Sequence, residues 1–135
     1  MISNRYVLTA AHCVANRAKT TVILGDHHCE EYDNGEMSLA VKRIVMHPNY
    51  TDSIDQADFA VLTLEKPVKF SSTILPACLP TTPSKDYTGW TATASGWGLM
   101  SPGYYGYGLT SNNGTLMEVD LKVIEDEACI GEWVA

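Results

Sequence analysis

Two polar residues stand beside apolar runs, and together they could perform acid–base chemistry. His12 follows the apolar residues 6–8 and two alanines, and Asp58 leads into the apolar run 59–64. Burying a carboxylate is costly unless it stays ionised and hydrogen-bonded, so an Asp heading a core strand requires a partner. A carboxylate that accepts the Nδ1–H of a histidine fixes its tautomer and leaves Nε2 as a base. His12 and Asp58 are therefore candidates for a catalytic pair.

Other interpretations of these residues exist. Asp55 competes with Asp58 for the histidine, but it lies three residues earlier in a polar loop. A histidine at a strand end can be an ordinary hydrogen-bonded polar residue, and an aspartate before a strand can cap a turn. For each residue alone, these alternatives are favoured. A catalytic pair becomes the better interpretation only when further motifs accompany the two residues.

Length and composition limit the classes of protein to which the chain can belong. Its 135 residues suffice for one domain with a core, and 45% hydrophobic with 19% charged residues is ordinary for a globular protein. The net charge of −7, without a basic patch, argues against nucleic acid as a partner. No apolar run reaches the roughly 18–20 residues of a membrane span, so we expect no membrane partner either.

The apolar runs are short and rich in β-branched residues, which predicts an all-β fold. Residues 117–123 show the clearest alternation of apolar and charged residues, which predicts a strand with one buried face. A single helix is predicted at Asp126–Trp133, with Asp126 as its N-cap. The proline-rich segment 75–83 reads as an extended linker. Strands are predicted at 20–24, 39–46, 59–64, 90–97 and 116–124.

Five segments in order resemble motifs of the trypsin/chymotrypsin-like serine proteases. They are Leu-Thr-Ala-Ala-His-Cys at 8–13, His-Pro-Asn-Tyr at 47–50, the aspartate motif at 57–64, Ile-Leu-Pro-Ala-Cys-Leu-Pro at 74–80 and Ala-Ser-Gly-Trp-Gly at 94–98. The resemblance implies a trypsin-like double β-barrel, with the first barrel nearly complete and the second truncated.

The same resemblance divides the chain into three parts. Residues 1–135 would form a partial peptidase domain, with the first barrel at 1–70, the inter-barrel linker at 71–88 and the start of the second barrel at 89–135. By the same resemblance, the family's mature N-terminus would precede residue 1, and its nucleophile would follow residue 135.

The implied activity is that of a serine endopeptidase acting on protein or peptide substrates, with protease inhibitors as further partners. His12 would be the general base and acid, and Asp58 would orient it. None of the nine serines lies in a Gly-Asp-Ser-Gly-Gly frame, so we expect this chain alone to be inactive. The alternative is a non-catalytic protease homologue that binds or regulates other proteins. No cofactor is required in either case.

Four cysteines without a Cys-x-x-Cys spacing indicate disulfides rather than zinc. The resemblance implies that Cys13 pairs with a cysteine preceding the chain, that Cys129 pairs with one following it, and that Cys78 tethers a pro-segment or light chain. Cys29 has no counterpart in the family. Pairing among the four themselves is the other possibility.

Two glycosylation sequons, at Asn49 and Asn113, fit a secreted protein. Together with the widely spaced cysteines they predict an extracellular location. Residues 1–5 lack the basic-then-apolar pattern of a signal peptide. We therefore expect that the secretion signal lies outside this sequence.

The loop from Asp26 to Glu36 carries five carboxylates and no lysine or arginine. Such a concentration of negative charge repels itself unless it is solvated or bound to a cation. The resemblance places Asp26, Asp33 and Glu36 at carboxylate positions of a calcium loop, with the carbonyls of His28 and Glu31 between them. Structural Ca²⁺, which takes oxygen ligands, is therefore one prediction, and a solvated acidic loop is the other.

Overall fold

The computed structural model describes residues 1–51, 57–82, 85–98 and 114–133. Within these ranges the chain forms six strands and one helix. They are β1 (Tyr6–Thr9), β2 (Thr21–Leu24), β3 (Met37–Met46), β4 (Ala60–Leu64), β5 (Thr91–Gly96), β6 (Met117–Lys122) and α1 (Asp126–Trp133).

The first four strands form one antiparallel sheet in the order β1-β4-β3-β2. β4 lies inside this sheet, which explains its sequence: its residues alternate between fully and partly buried, and almost all are apolar. β3 is the longest strand and contains a register shift between Val41 and Arg43. This irregularity bends the strand, as a β-bulge does in barrels.

Two groups of buried side chains make up the core beneath this sheet. The first, which we call the Ala11 cluster, consists of Ala11, Val14, Ala60 and Leu62. The second consists of Leu64, Val68 and Ile74. β4 supplies residues to both groups, so burial of this one strand links the two halves of the core.

By internal contacts the chain separates into two compact units. The first comprises Met1–Asp26 and Asp33–Leu79, and it contains the four-stranded sheet. The second comprises His27–Tyr32 and Pro80–Ala135, and it contains the β5–β6 hairpin and α1. The finer division at residues 70 and 88 stays a prediction.

In the second unit, β5 and β6 pair in antiparallel register from Thr91 opposite Lys122 to Gly96 opposite Met117. Within the second unit, a bridge between His28 and Thr115 joins the segment His27–Tyr32 to this hairpin. No helix among the described residues has the length and apolar character needed to cross a membrane.

The predicted all-β fold is confirmed, and each predicted strand is found within a few residues of its expected bounds. The helix occupies the predicted range Asp126–Trp133. The predicted buried face of β6 is wrong in this structure, because Val119 and Leu121 are each 53% exposed. A two-stranded hairpin buries a face only when a further layer covers it, and the described residues leave this face largely open.

The core assignment can be tested at β4. Leu64 is fully buried, so Leu64→Ala should lower the free energy of unfolding by about 2–5 kcal/mol, through lost apolar burial and the cavity left behind. Leu79 is 53% exposed, and Leu79→Ala should change it by less than about 0.5 kcal/mol. Urea unfolding followed by circular dichroism measures both. Equal losses in the two variants would contradict this description of the core.

Candidate active site

The pairing of β1 with β4 brings the two predicted catalytic residues together. The strands are antiparallel, and Thr9 at the end of β1 lies opposite Ala60 at the start of β4. His12 follows Thr9 by three residues and Asp58 precedes Ala60 by two. Because antiparallel strands place the end of one beside the start of the other, both residues lie at the same end of the β1–β4 pair.

The Asp58 carboxylate contacts His12 through both of its oxygens. Oδ1 accepts a hydrogen bond from the His12 backbone N–H at 2.9 Å, and Oδ2 lies 2.5 Å from Nδ1 of the imidazole. A carboxylate accepts hydrogen bonds, so Nδ1 carries the ring proton and Nε2 keeps its lone pair. The predicted contact between these residues is confirmed, while their catalytic role stays a prediction.

Hydrogen bonding also sets the charge of this carboxylate. The His12 backbone N–H, and after it the His12 ring, hold the pKa of the Asp58 carboxyl below its ordinary value. Asp58 therefore stays ionised at neutral pH and remains an acceptor for the Nδ1–H of His12. The Asp58 side chain is 23% exposed and that of His12 is 64% exposed, so the ring is accessible to solvent.

A tight turn presents the histidine. The carbonyl of Ala11 accepts hydrogen bonds from the N–H groups of Val14 and Ala15, at 3.0 and 2.8 Å. Ala11 is fully buried in the Ala11 cluster, which also contains Ala60 of β4. A larger side chain would not fit there without displacing the turn, which explains the small residue before His12.

The alternative carboxylate, Asp55, lies outside the described residues. The turn that presents Asp58 begins at Ala57, whose backbone φ is 55°, in the left-handed region. The Phe59 N–H donates to the Ala57 carbonyl at 2.7 Å, so Asp58 occupies the centre of this turn.

A thiol lies on the other side of the imidazole. Cys13 Sγ is 3.4 Å from His12 Nε2. We did not predict this contact, although the adjacency of the two residues in the sequence is a signal for it. All four cysteines, which the described ranges include, are exposed and unbonded in this structure.

The predicted calcium ligands are distributed over both units. Asp26, Asp33 and Glu36 belong to the first, while His28 and Glu31 belong to the second. Oδ1 of Asp26 is buried without a hydrogen-bond partner, which suits a cation ligand. Glu36 instead accepts a hydrogen bond from the Asp33 N–H at 3.3 Å.

Within the described ranges, no three His, Cys, Asp or Glu side chains are grouped to hold a metal. Two of the predicted calcium ligands are not side chains but the backbone carbonyls of His28 and Glu31. Calcium binding by this loop therefore stays a prediction.

Comparison with known proteins shows the family to which this chain belongs. The family model described as Trypsin matches residues 1–135. The chain belongs to the trypsin family. This membership accounts for the order of the five motifs and for the antiparallel strands that carry the His–Asp pair.

Named relatives in the trypsin family support the assignment. Serine protease SSP1 of Scolopendra subspinipes is 36% identical over 135 residues, which cover 96% of this chain and 45% of the relative. Vitamin K-dependent protein C of Mus musculus is 41% identical over 104 residues, which cover 75% of this chain and 23% of the relative. Serine protease filzig of Drosophila melanogaster is 35% identical over 132 residues, which cover 96% of this chain and 7% of the relative. The chain thus spans less than half the length of these relatives.

The fold comparison agrees with the trypsin-family assignment. The solved structure of GrC superposes with a TM-score of 0.84 at 28% identity, covering 98% of this chain and 55% of that one. The trypsin-like fold is therefore confirmed.

The His12–Asp58 interaction makes stability depend on pH. A carboxyl whose pKa is lowered by folding stabilises the protein above its ordinary pKa, and this contribution disappears as the pH falls through the lowered value. Asp58→Asn should therefore lower the melting temperature at pH 7, and the difference from wild type should shrink as the pH falls below about 4. Thermal unfolding across pH 2–7 measures this. A difference that stays constant with pH would contradict it.

Proposed function

We propose that this chain supplies the general base and the orienting carboxylate of a serine endopeptidase. The observation that supports the proposal is the two-point contact of Asp58 with His12, which leaves a lone pair on Nε2 in a side chain that is 64% exposed. Membership of the trypsin family, and relatives named serine proteases, support the same reaction class.

In this proposal His12 Nε2 takes the proton of a serine hydroxyl while the serine oxygen attacks the carbonyl carbon of a peptide bond. The imidazolium then gives that proton to the departing amine. Asp58 keeps Nδ1 protonated throughout and stabilises the positive ring. Because none of the nine serines has the expected glycine frame, we propose that the nucleophile is supplied from outside these 135 residues.

We further propose that the protein acts outside the cell on protein or peptide substrates and is bound by protease inhibitors. The exposed cysteines and the exposed sequon at Asn49 are consistent with this location. Relatives described as serine proteases support a protein substrate.

A non-catalytic binding or regulatory homologue is the second candidate. The observation that favours it is that none of the nine serines of this sequence lies in the expected glycine frame. The retained His12–Asp58 contact favours the enzyme, because a binding protein does not need an oriented base.

The test uses the whole gene product that contains this chain, activated and assayed on peptide substrates. His12→Ala should lower kcat by about 10⁶ and Asp58→Asn by about 10⁴, because the base is then lost or held in the wrong tautomer. Asp86→Asn is the matched control: it removes another carboxyl with a lowered pKa, one held by the Thr88 amide, and should leave kcat unchanged.

Two results would contradict the proposed endopeptidase function. The first is a His12→Ala variant that retains wild-type turnover. The second is a wild-type protein that neither cleaves peptides nor reacts with a serine-directed phosphonate, which would favour the non-catalytic homologue. The 135-residue chain alone should show no hydrolysis.

A further inference from the structure

The turn that carries Asp58 has an unfavourable backbone conformation. Ala57, a residue with a Cβ, has a φ of 55° in the left-handed region that favours glycine. The Phe59 N–H donates to the Ala57 carbonyl at 2.7 Å and closes the turn around Asp58. Residues persist in such conformations only where their surroundings hold them. A contact with Phe59, the residue that closes this turn, would help to maintain the position of the carboxylate.

His47 supplies that contact twice. Its backbone N–H donates to the Phe59 carbonyl at 3.0 Å. Its ring lies 4.6 Å from the Phe59 ring, centre to centre, at an angle of 52° between planes. This is a favourable aromatic separation. Because Phe59 is 45% exposed, core packing covers only part of its ring, and the His47 ring is its aromatic neighbour.

His47 is itself held by the turn that follows it. Its Nδ1 accepts the Asn49 N–H at 3.2 Å, and its carbonyl accepts the Tyr50 N–H at 3.0 Å. Tyr50 packs against the Ala11 cluster. That cluster contains Ala11, the neighbour of His12, so the same core supports both sides of the His12–Asp58 contact.

We propose that His47 is a positioning residue for Asp58 and acts through its ring contact with Phe59. The proposal rests on the proposed function of the His12–Asp58 pair and extends it to a residue that does not touch either partner's reacting atoms. Without the His47 ring, the segment 57–59 relaxes from its left-handed conformation, and the carboxylate moves away from Nδ1.

The test observes the hydrogen bond itself in the 135-residue chain. Proton NMR detects the Nδ1–H of His12 as a downfield signal, assigned by its absence in His12→Gln. His47→Ala should abolish this signal or speed its exchange with water about tenfold, the upper range of what one aromatic pair contributes to a local equilibrium. The His47–Phe59 backbone hydrogen bond remains in this variant, so the effect reports the ring.

Three further variants separate positioning from general loss of structure. His47→Phe restores a ring without Nδ1 and should restore the signal. Phe59→Leu removes the other ring, keeps an apolar side chain, and should lose the signal; it also carries the test if His47→Ala does not fold. Tyr87→Ala is the matched control, because it removes a ring from another aromatic pair, Tyr87–Trp90, and should leave the signal unchanged.

An unchanged signal in both His47→Ala and Phe59→Leu would overturn the positioning role and leave the proposed function intact. Loss of the signal in His47→Phe or in Tyr87→Ala would also overturn it, because the effect would then not depend on this ring pair. Absence of the signal from the wild-type chain would instead count against the His12–Asp58 contact, and hence against the proposed function.

Discussion

One carboxylate holds both the backbone and the ring of one histidine, and the candidate site depends on this interaction. Asp58 Oδ1 receives the His12 amide and Oδ2 faces the imidazole, so neither residue can turn without breaking two contacts. The anion is stabilised in return, because two N–H groups direct their positive ends at it. The arrangement fixes the position of the His12 ring and determines which of its nitrogens carries the proton.

The rest of the first unit keeps this interaction in place. The β1–β4 register determines which residues meet at the end of this strand pair, and β4 is anchored by its alternating buried residues. Burial of Ala11 and Ala60 in one cluster links the turn of His12 to the strand that follows Asp58. The left-handed φ of Ala57 opposes this geometry, so the contacts that surround the turn must offset its cost. Packing and backbone strain thus act on the same few residues.

Much of this was predictable from the sequence, for identifiable reasons. Alternating and β-branched runs indicated the strands, and an Asp at the head of an apolar strand indicated a partner for His12. Features that depend on three-dimensional neighbours were not predictable. The left-handed φ of Ala57 and the ring contact of His47 with Phe59 leave no mark in local composition. The exposed face of β6 shows the same limit, because alternation identifies an apolar face but not what covers it.

The central claim is that Asp58 holds His12 in the tautomer with its proton on Nδ1. Two-bond ¹H–¹⁵N correlation spectra of the histidine rings, with His12 assigned by substitution, measure this directly at a pH where the ring is neutral. Our description predicts that the neutral His12 ring carries its proton on Nδ1, and that Asp58→Asn removes this preference. A neutral His12 protonated mainly on Nε2 in the wild-type chain would contradict it.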